Sequence, residues 1–161
     1  MDYSDDLRAI VEDAAVRLLA VTPAASARRP GPGRWSAREI VGHLIDSASN
    51  NHQRFVRSQF RDDLVFPGYE QEPWVAVQKY NDAPWSELVT LWRTFNLHLA
   101  RVMEAVPEAE RLRPRAQHNL YEIASNGVPA DEPATLDYFM RDYVEHLKQH
   151  LRQIDATLGD R

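Results

Sequence analysis

TLDYFMRDYVEHLKQHLRQIDATL, residues 135–158, places Leu136, Phe139, Met140, Tyr143, Leu147, Leu151, Ile154 and Leu158 at helical spacing. At about 100° per residue these side chains share one side of an α-helix, and that side must be buried against something. Leu136, Tyr143, Leu147 and Ile154 mark the centre of the face. His150 falls inside it and His146 on its margin, beside Phe139, while Arg141, Glu145, Lys148 and Arg152 lie opposite. The pair of histidines therefore points towards an interior. Residues four apart are neighbours on a helix, close enough for two imidazoles to reach one ion. Two readings stand at this point: half of a metal site, or histidines packed into a core.

Three further segments carry the same kind of pattern. Leu7, Ile10, Val11, Ala14, Leu18 and Val21 form a first stripe that Pro23 closes. After the Pro/Gly-rich RRPGPGRW, Ser36 and Glu39 make a capping box that starts a second helix, running to about residue 60. Pro84 fits a first helical turn, and Trp85, Leu88, Trp92, Phe95, Leu99, Val102 and Val106 give the third face, ending near Pro107. Between helices two and three, DDLVFPGYEQEPW is irregular, with a short helical piece at most around residues 75–80. Residues 107–133 carry four prolines and little periodicity, a long connection of the kind that often has a function. Four wide apolar faces must cover one another, so the expected architecture is all-α, a four-helix bundle in a single domain spanning residues 1–161. Long connections after helices two and three favour a crossover topology over simple up-and-down order.

Composition narrows the function. The chain has 161 residues, 43% hydrophobic and 27% charged, an ordinary globular balance. Its formal charge is −5 and no basic run is interleaved with aromatics, so phosphate-backbone binding has no electrostatic basis. An acidic start, MDYSDDLRAIVEDAA, is unlike a secretory signal, and no stretch is apolar enough to span a membrane; a cytoplasmic location is expected. With no cysteine, any metal must be held by His, Asp or Glu, and any thiol nucleophile must come from a small molecule.

A third ligand is needed beside the histidine pair, and helix two offers His43, two turns inside its capped start. Ile40, Leu44, Ala48 and Phe55 are that helix's apolar face. His43, Ser47, Asn50, Asn51 and Arg54 form an adjoining polar stripe that suits a pocket wall or, equally, a solvated face. The di-iron pattern with Glu three residues before His is absent, as are HExxH, Gly-x-Ser-x-Gly and a phosphate-cradling glycine loop. His52, His98 and His118 have no partner by spacing and read as surface or cap residues. Trp74, in the irregular segment, is the tryptophan best placed for a pocket wall.

The runs GRWSAREIVGHLIDSASNNHQRFVRSQF, PGYEQEPWVAVQKYND, PWSELVTLWRTFNLHLARVM and YVEHLKQHLRQI resemble the DinB/YfiT-like superfamily of metal-dependent four-helix-bundle enzymes, over roughly residues 5–157. The most specific elements are Trp-Ser-x-x-Glu-Ile-x-x-His at helix two and His-x-x-x-His at helix four. The resemblance implies a crossover bundle and a divalent ion, usually nickel or zinc, on three histidines that match His43, His146 and His150. It further implies an enzyme, most readily a transferase using a low-molecular-weight thiol, since relatives include bacillithiol-, mycothiol- and glutathione-dependent S-transferases. Hydrolysis by a hydroxide on the same ion, or a non-catalytic ion that only braces the helices, are the alternatives. Ser47, Asn50, Arg54 and Trp74 are the expected substrate-binding residues, with Arg54 able to pair with a carboxylate. The expected partners are a small-molecule substrate and a second copy of the chain as a homodimer, with no nucleic acid and no membrane.

Overall fold

A computed structural model describes residues 2–159. Four long helices carry the fold: α1 (Asp2–Leu19), α3 (Ala37–Arg57), α5 (Trp85–Ala105) and α8 (Leu136–Gly159). Shorter helices lie between them: α2 (Pro23–Ala27), α4 (Gln71–Gln78), α6 (Glu108–Leu112) and α7 (Leu120–Ile123). The only extended pairings among the described residues are two isolated bridges, Leu64 with His118 and Arg115 with Ala134. No helix is long and apolar enough to cross a membrane, among the described residues.

Around the bundle the order is α1, α5, α3, α8, so α1 packs on α5, α5 on α3, and α3 on α8, with a lighter α1–α8 seam. Side-chain pairs set the directions. Arg93 binds Glu12 through two 2.7 Å hydrogen bonds, and Arg8 near the start of α1 pairs with Glu104 near the end of α5, so these helices are antiparallel. Tyr3 hydroxyl donates to Asp137 at 3.0 Å and Arg17 pairs with Asp155, which makes α1 and α8 parallel. Arg38 reaches the Asn81 and Ala83 carbonyls while His52 meets Phe95 and His98, so α3 and α5 are parallel as well.

Parallel neighbours cannot be joined by a tight turn, because the chain must first run back the length of a helix, about 30 Å for one of this length. Residues 58–84 make that return along α3. Pro67 carbonyl accepts from Arg54 at 2.8 Å, Tyr80 hydroxyl donates to Asp46 at 2.7 Å, and Asn81 meets Ser36 at 2.6 Å. The two diagonal crossovers are α1 to α3 and α5 to α8, so the long connection after helix two joins neighbours and the shorter one after helix one crosses the bundle.

The caps explain where the helices begin. Ser36 Oγ accepts from Glu39 N and Glu39 accepts from Ser36 N, the reciprocal box read in the sequence. Pro23 does not close α1. The helix ends at Leu19, and Thr22 caps a new short helix with Pro23 in its first turn. Pro84 likewise sits at the cap of α5, outside its first turn. The long connection over residues 107–133 holds α6 and α7, and the fully buried Arg115 ties α6 through Glu110 to the Ser58 carbonyl.

The core is continuous through all four long helices and includes Leu7, Ile40, Leu44, Phe55, Trp92, Leu99, Leu136, Phe139 and Leu147. One polar contact crosses its diagonal: Tyr143 hydroxyl donates to Asn96 Oδ1 at 2.5 Å, and Asn96 Nδ2 donates to the Trp92 carbonyl at 2.8 Å. Both buried groups are therefore satisfied, as a low-dielectric interior demands. α3 is covered on nearly every side, and Gly42 allows it: a Cβ there would stand 2.1 Å from the Tyr80 ring.

Candidate metal centre

α3 and α8 pack antiparallel, which sets the early part of one against the late part of the other. His43 on the first helix thereby meets His146 and His150 on the second. The ring centroids of His43 lie 5.4 Å from His146 and 4.6 Å from His150, and the latter two are 4.5 Å apart. One ligand nitrogen from each falls within 4.8 Å of the others. His146 Nε2 and His150 Nε2 are 3.0 Å apart.

Hydrogen bonding selects the free nitrogens. Gln153 Oε1 can only accept, so His150 donates to it from Nδ1 at 2.8 Å and keeps its Nε2 lone pair for the cluster. His43 is 2% exposed, yet neither of its ring nitrogens has a hydrogen-bond partner. An orphaned buried imidazole costs free energy that a core histidine normally avoids by bonding to a neighbour. Here the surroundings are Trp35, at 5.4 Å between centroids, and the two other imidazoles. A divalent ion about 2.0–2.1 Å from each nitrogen would need them roughly 3.3 Å apart; the His146–His150 pair stands at 3.0 Å and all three nitrogens lie within 4.8 Å of one another. The residues thus fit a three-histidine metal centre.

Charge points the same way. Burial, reinforced by the neighbouring imidazoles, pushes His43 down to about 3 and His146 down to about 4, and burial lowers His150 as well. All three rings are neutral at physiological pH, the form that ligates.

His146 and His150 are half-buried, although the sequence pattern puts His150 inside the apolar face. The reason is that the cluster sits between two hollows. One, of about 210 Å³, is lined by His43, Ser47, Asn51, Arg54, Tyr69, Asp142 and His146 among others. The second, of about 250 Å³, opens at His150, Gln153, Trp35 and Arg34, and Gln71 borders both.

Of the expected substrate-binding residues, Ser47 and Arg54 share the first hollow with the histidines. Asn50 and Trp74 face a third hollow, which Arg54 also borders together with Arg57 and Arg61, and Asn50 Nδ2 donates to the Asp46 carbonyl at 2.9 Å. Tyr69, Asp142 and Glu122 also line the histidine hollow and carry no local sequence signal. Tyr69 is pushed up to about 12 by burial and by Asp46. Asp142 is buried with its carboxylate on the Ser125 and Asn126 amides at 2.8 Å, pinning α7's exit to α8. His118 is 7% exposed and no surface residue: its Nδ1 accepts from Leu120 N and its Nε2 donates to the Glu132 carbonyl. The His52 and His98 rings lie 5.3 Å apart, tilted by 48°, and are not part of the cluster.

Comparison with known proteins agrees with this architecture. No curated protein matches the sequence. Among solved structures, YfiT from Bacillus subtilis, described as a probable metal-dependent hydrolase with an unusual four-helix bundle topology, aligns with a TM-score of 0.73. The alignment covers 96% of this chain and 85% of YfiT at 19% identity, a likeness of fold. The sequence profile of the DinB superfamily matches residues 5–154, a span that takes in most of the four long helices and all three histidines, and the chain belongs to that superfamily.

Proposed function

We propose that the protein is a metal-dependent enzyme whose divalent ion, nickel or zinc, is held by His43, His146 and His150, and which transfers a small-molecule thiol to an electrophilic acceptor. The observation that carries this is the buried His43 ring, with both nitrogens unpartnered beside two other neutral imidazoles. A divalent ion held by His43, His146 and His150 would supply a Lewis acid and would lower the pKa of a nucleophile bound to it.

The chain's own residues do the rest. Gln153 fixes the His150 tautomer. Burial keeps all three rings unprotonated. Asp142 and Glu122 both line the hollow, and the Asp142 carboxylate accepts from the Ser125 and Asn126 amides. A thiol, ionising at about 8.5, needs far less help than water to become a nucleophile beside such an ion. The absence of cysteine assigns that thiol to a co-substrate.

Hydrolysis is the second reading, favoured by the description of YfiT. Metal content of untagged protein, measured by plasma mass spectrometry, is the first test. A near-stoichiometric ion is expected, lost in both His43→Ala and His146→Ala. Turnover of an electrophile only in the presence of a thiol supports transfer; turnover without thiol supports hydrolysis. An ion that is not retained even after reconstitution removes the chemistry of both.

A further inference from the structure

Among the described residues two arginines are buried almost completely, and their surroundings differ. Arg115, 1% exposed, is ion-paired with Glu110. Arg54, 5% exposed, has no ion pair with any carboxylate among the described residues. Its Nη2 donates to the Pro67 carbonyl at 2.8 Å, its Nη1 reaches Asn51 Oδ1 at 3.4 Å, and its guanidinium lies 5.9 Å from the centre of the Phe139 ring. These are neutral partners. Burying a guanidinium against neutral groups alone is costly, and a charge so placed is ordinarily compensated by an anion.

No carboxylate among the described residues supplies one. The two carboxylates lining the same hollow make no ion pair with Arg54: Asp142 is held by the Ser125 and Asn126 amides and the Asn126 side chain, and Glu122 is exposed. Arg54 meanwhile ends a polar edge of α3 that starts at the metal ligand. His43, Ser47, Asn51 and Arg54 follow one another at helical spacing along the hollow, linked by Asn51 Nδ2 to the Ser47 carbonyl at 2.9 Å and Arg54 to Asn51.

We infer that Arg54 is the carboxylate-binding end of the histidine hollow, so that the ligand is a small organic acid whose carboxylate docks on the guanidinium while its reacting group lies at His43 and His146. The planar fork of donors matches a carboxylate. A single cation in a wall that also holds Asp142 and Glu122 suits a monoanion and would leave a phosphate dianion undercompensated. A hollow of about 210 Å³ is small for a ligand site and fits a compact molecule. The assignment deepens the proposed metal chemistry and rests on it only for what happens at the histidine end.

The test uses full-length, ¹⁵N-labelled, metal-depleted protein, so that the probe cannot bind through an ion. Acetate and, separately, inorganic phosphate are titrated while the Arg54 Nε–H resonance and the Ser47, Asn51 and Ser125 amides are followed. Expected is a saturable acetate-dependent shift at these positions, weakened about tenfold or more in Arg54→Gln, with Arg54→Lys between the two. Arg54→Lys serves as the informative variant should Arg54→Gln fail to fold. The inference is overturned if wild type shows no saturable shift, if acetate binds either variant as tightly as wild type, or if phosphate binds more tightly than acetate. Acetate binding at Arg54 in a protein that never retains metal would sink the metal reading and leave this one standing. Stoichiometric metal with no acetate response would do the reverse.

Discussion

Three neutral histidines, one buried and two half-buried, should make the metal-free protein acid-labile well above the pH at which carboxylates titrate. In the folded chain His43 stays neutral down to about 3 and His146 down to about 4, whereas an unfolded histidine takes up its proton near 6.5. The stability tied to these groups is therefore fully present above about pH 6.5, and it is lost as pH falls below that value towards the folded pKa values. In that window the unfolded state binds more protons, and stability rises with pH. At pH 5 the unfolded histidine lies 1.5 units below its pKa, so each ring costs about 2 kcal/mol at about 1.4 kcal/mol per unit, and His43 with His146 cost about 4 kcal/mol together. Against a typical total of about 5–15 kcal/mol that is a large loss. His150 and His52, also lowered, add in the same direction. Urea unfolding of chelator-treated protein at pH 8, 6.5 and 5 measures the effect, and His43→Gln should recover about half of the two-histidine loss. A stability that is flat between pH 8 and 5, or a pH dependence unchanged in His43→Gln, would refute the reasoning.

Other perturbations read different parts of the structure. Gly42→Ala should destabilise by about 1–3 kcal/mol, because its Cβ would overlap the Tyr80 ring, and a Gly42→Ala/Tyr80→Ala double variant should cost less than the sum of the single changes; urea unfolding of the three variants checks this. Asp142→Ala should release the turn after α7, raising hydrogen exchange at the Ser125 and Asn126 amides while exchange in the middle of α8 stays slow. Adding zinc or nickel to the metal-free protein should raise its melting temperature in a concentration-dependent way, and that rise should vanish in His150→Ala.

The four long helices, the Ser36–Glu39 box and the closeness of His146 to His150 were all legible in the sequence by itself. Each depends on residues within four positions of one another, where helical geometry alone fixes who meets whom. His43 as the third ligand was suggested by resemblance and by its place in a polar stripe, but its meeting with α8 depends on α3 and α8 packing antiparallel, a fact of the whole bundle. The stripe itself shows where local reading stops. Asn50 and Asn51 are one residue and 100° apart: the structure turns Asn51 into the histidine hollow and leaves Asn50 beside Trp74 in another. Tyr69 and Asp142 reach the site from a returning connection and from the far helix, and Arg54 is a buried cation rather than a surface one because Pro67 and Phe139 close over it. Periodicity along a helix determines that a face is buried; only the packing of distant segments decides what covers it, and hence which polar groups are left without partners to bind an ion or an acid.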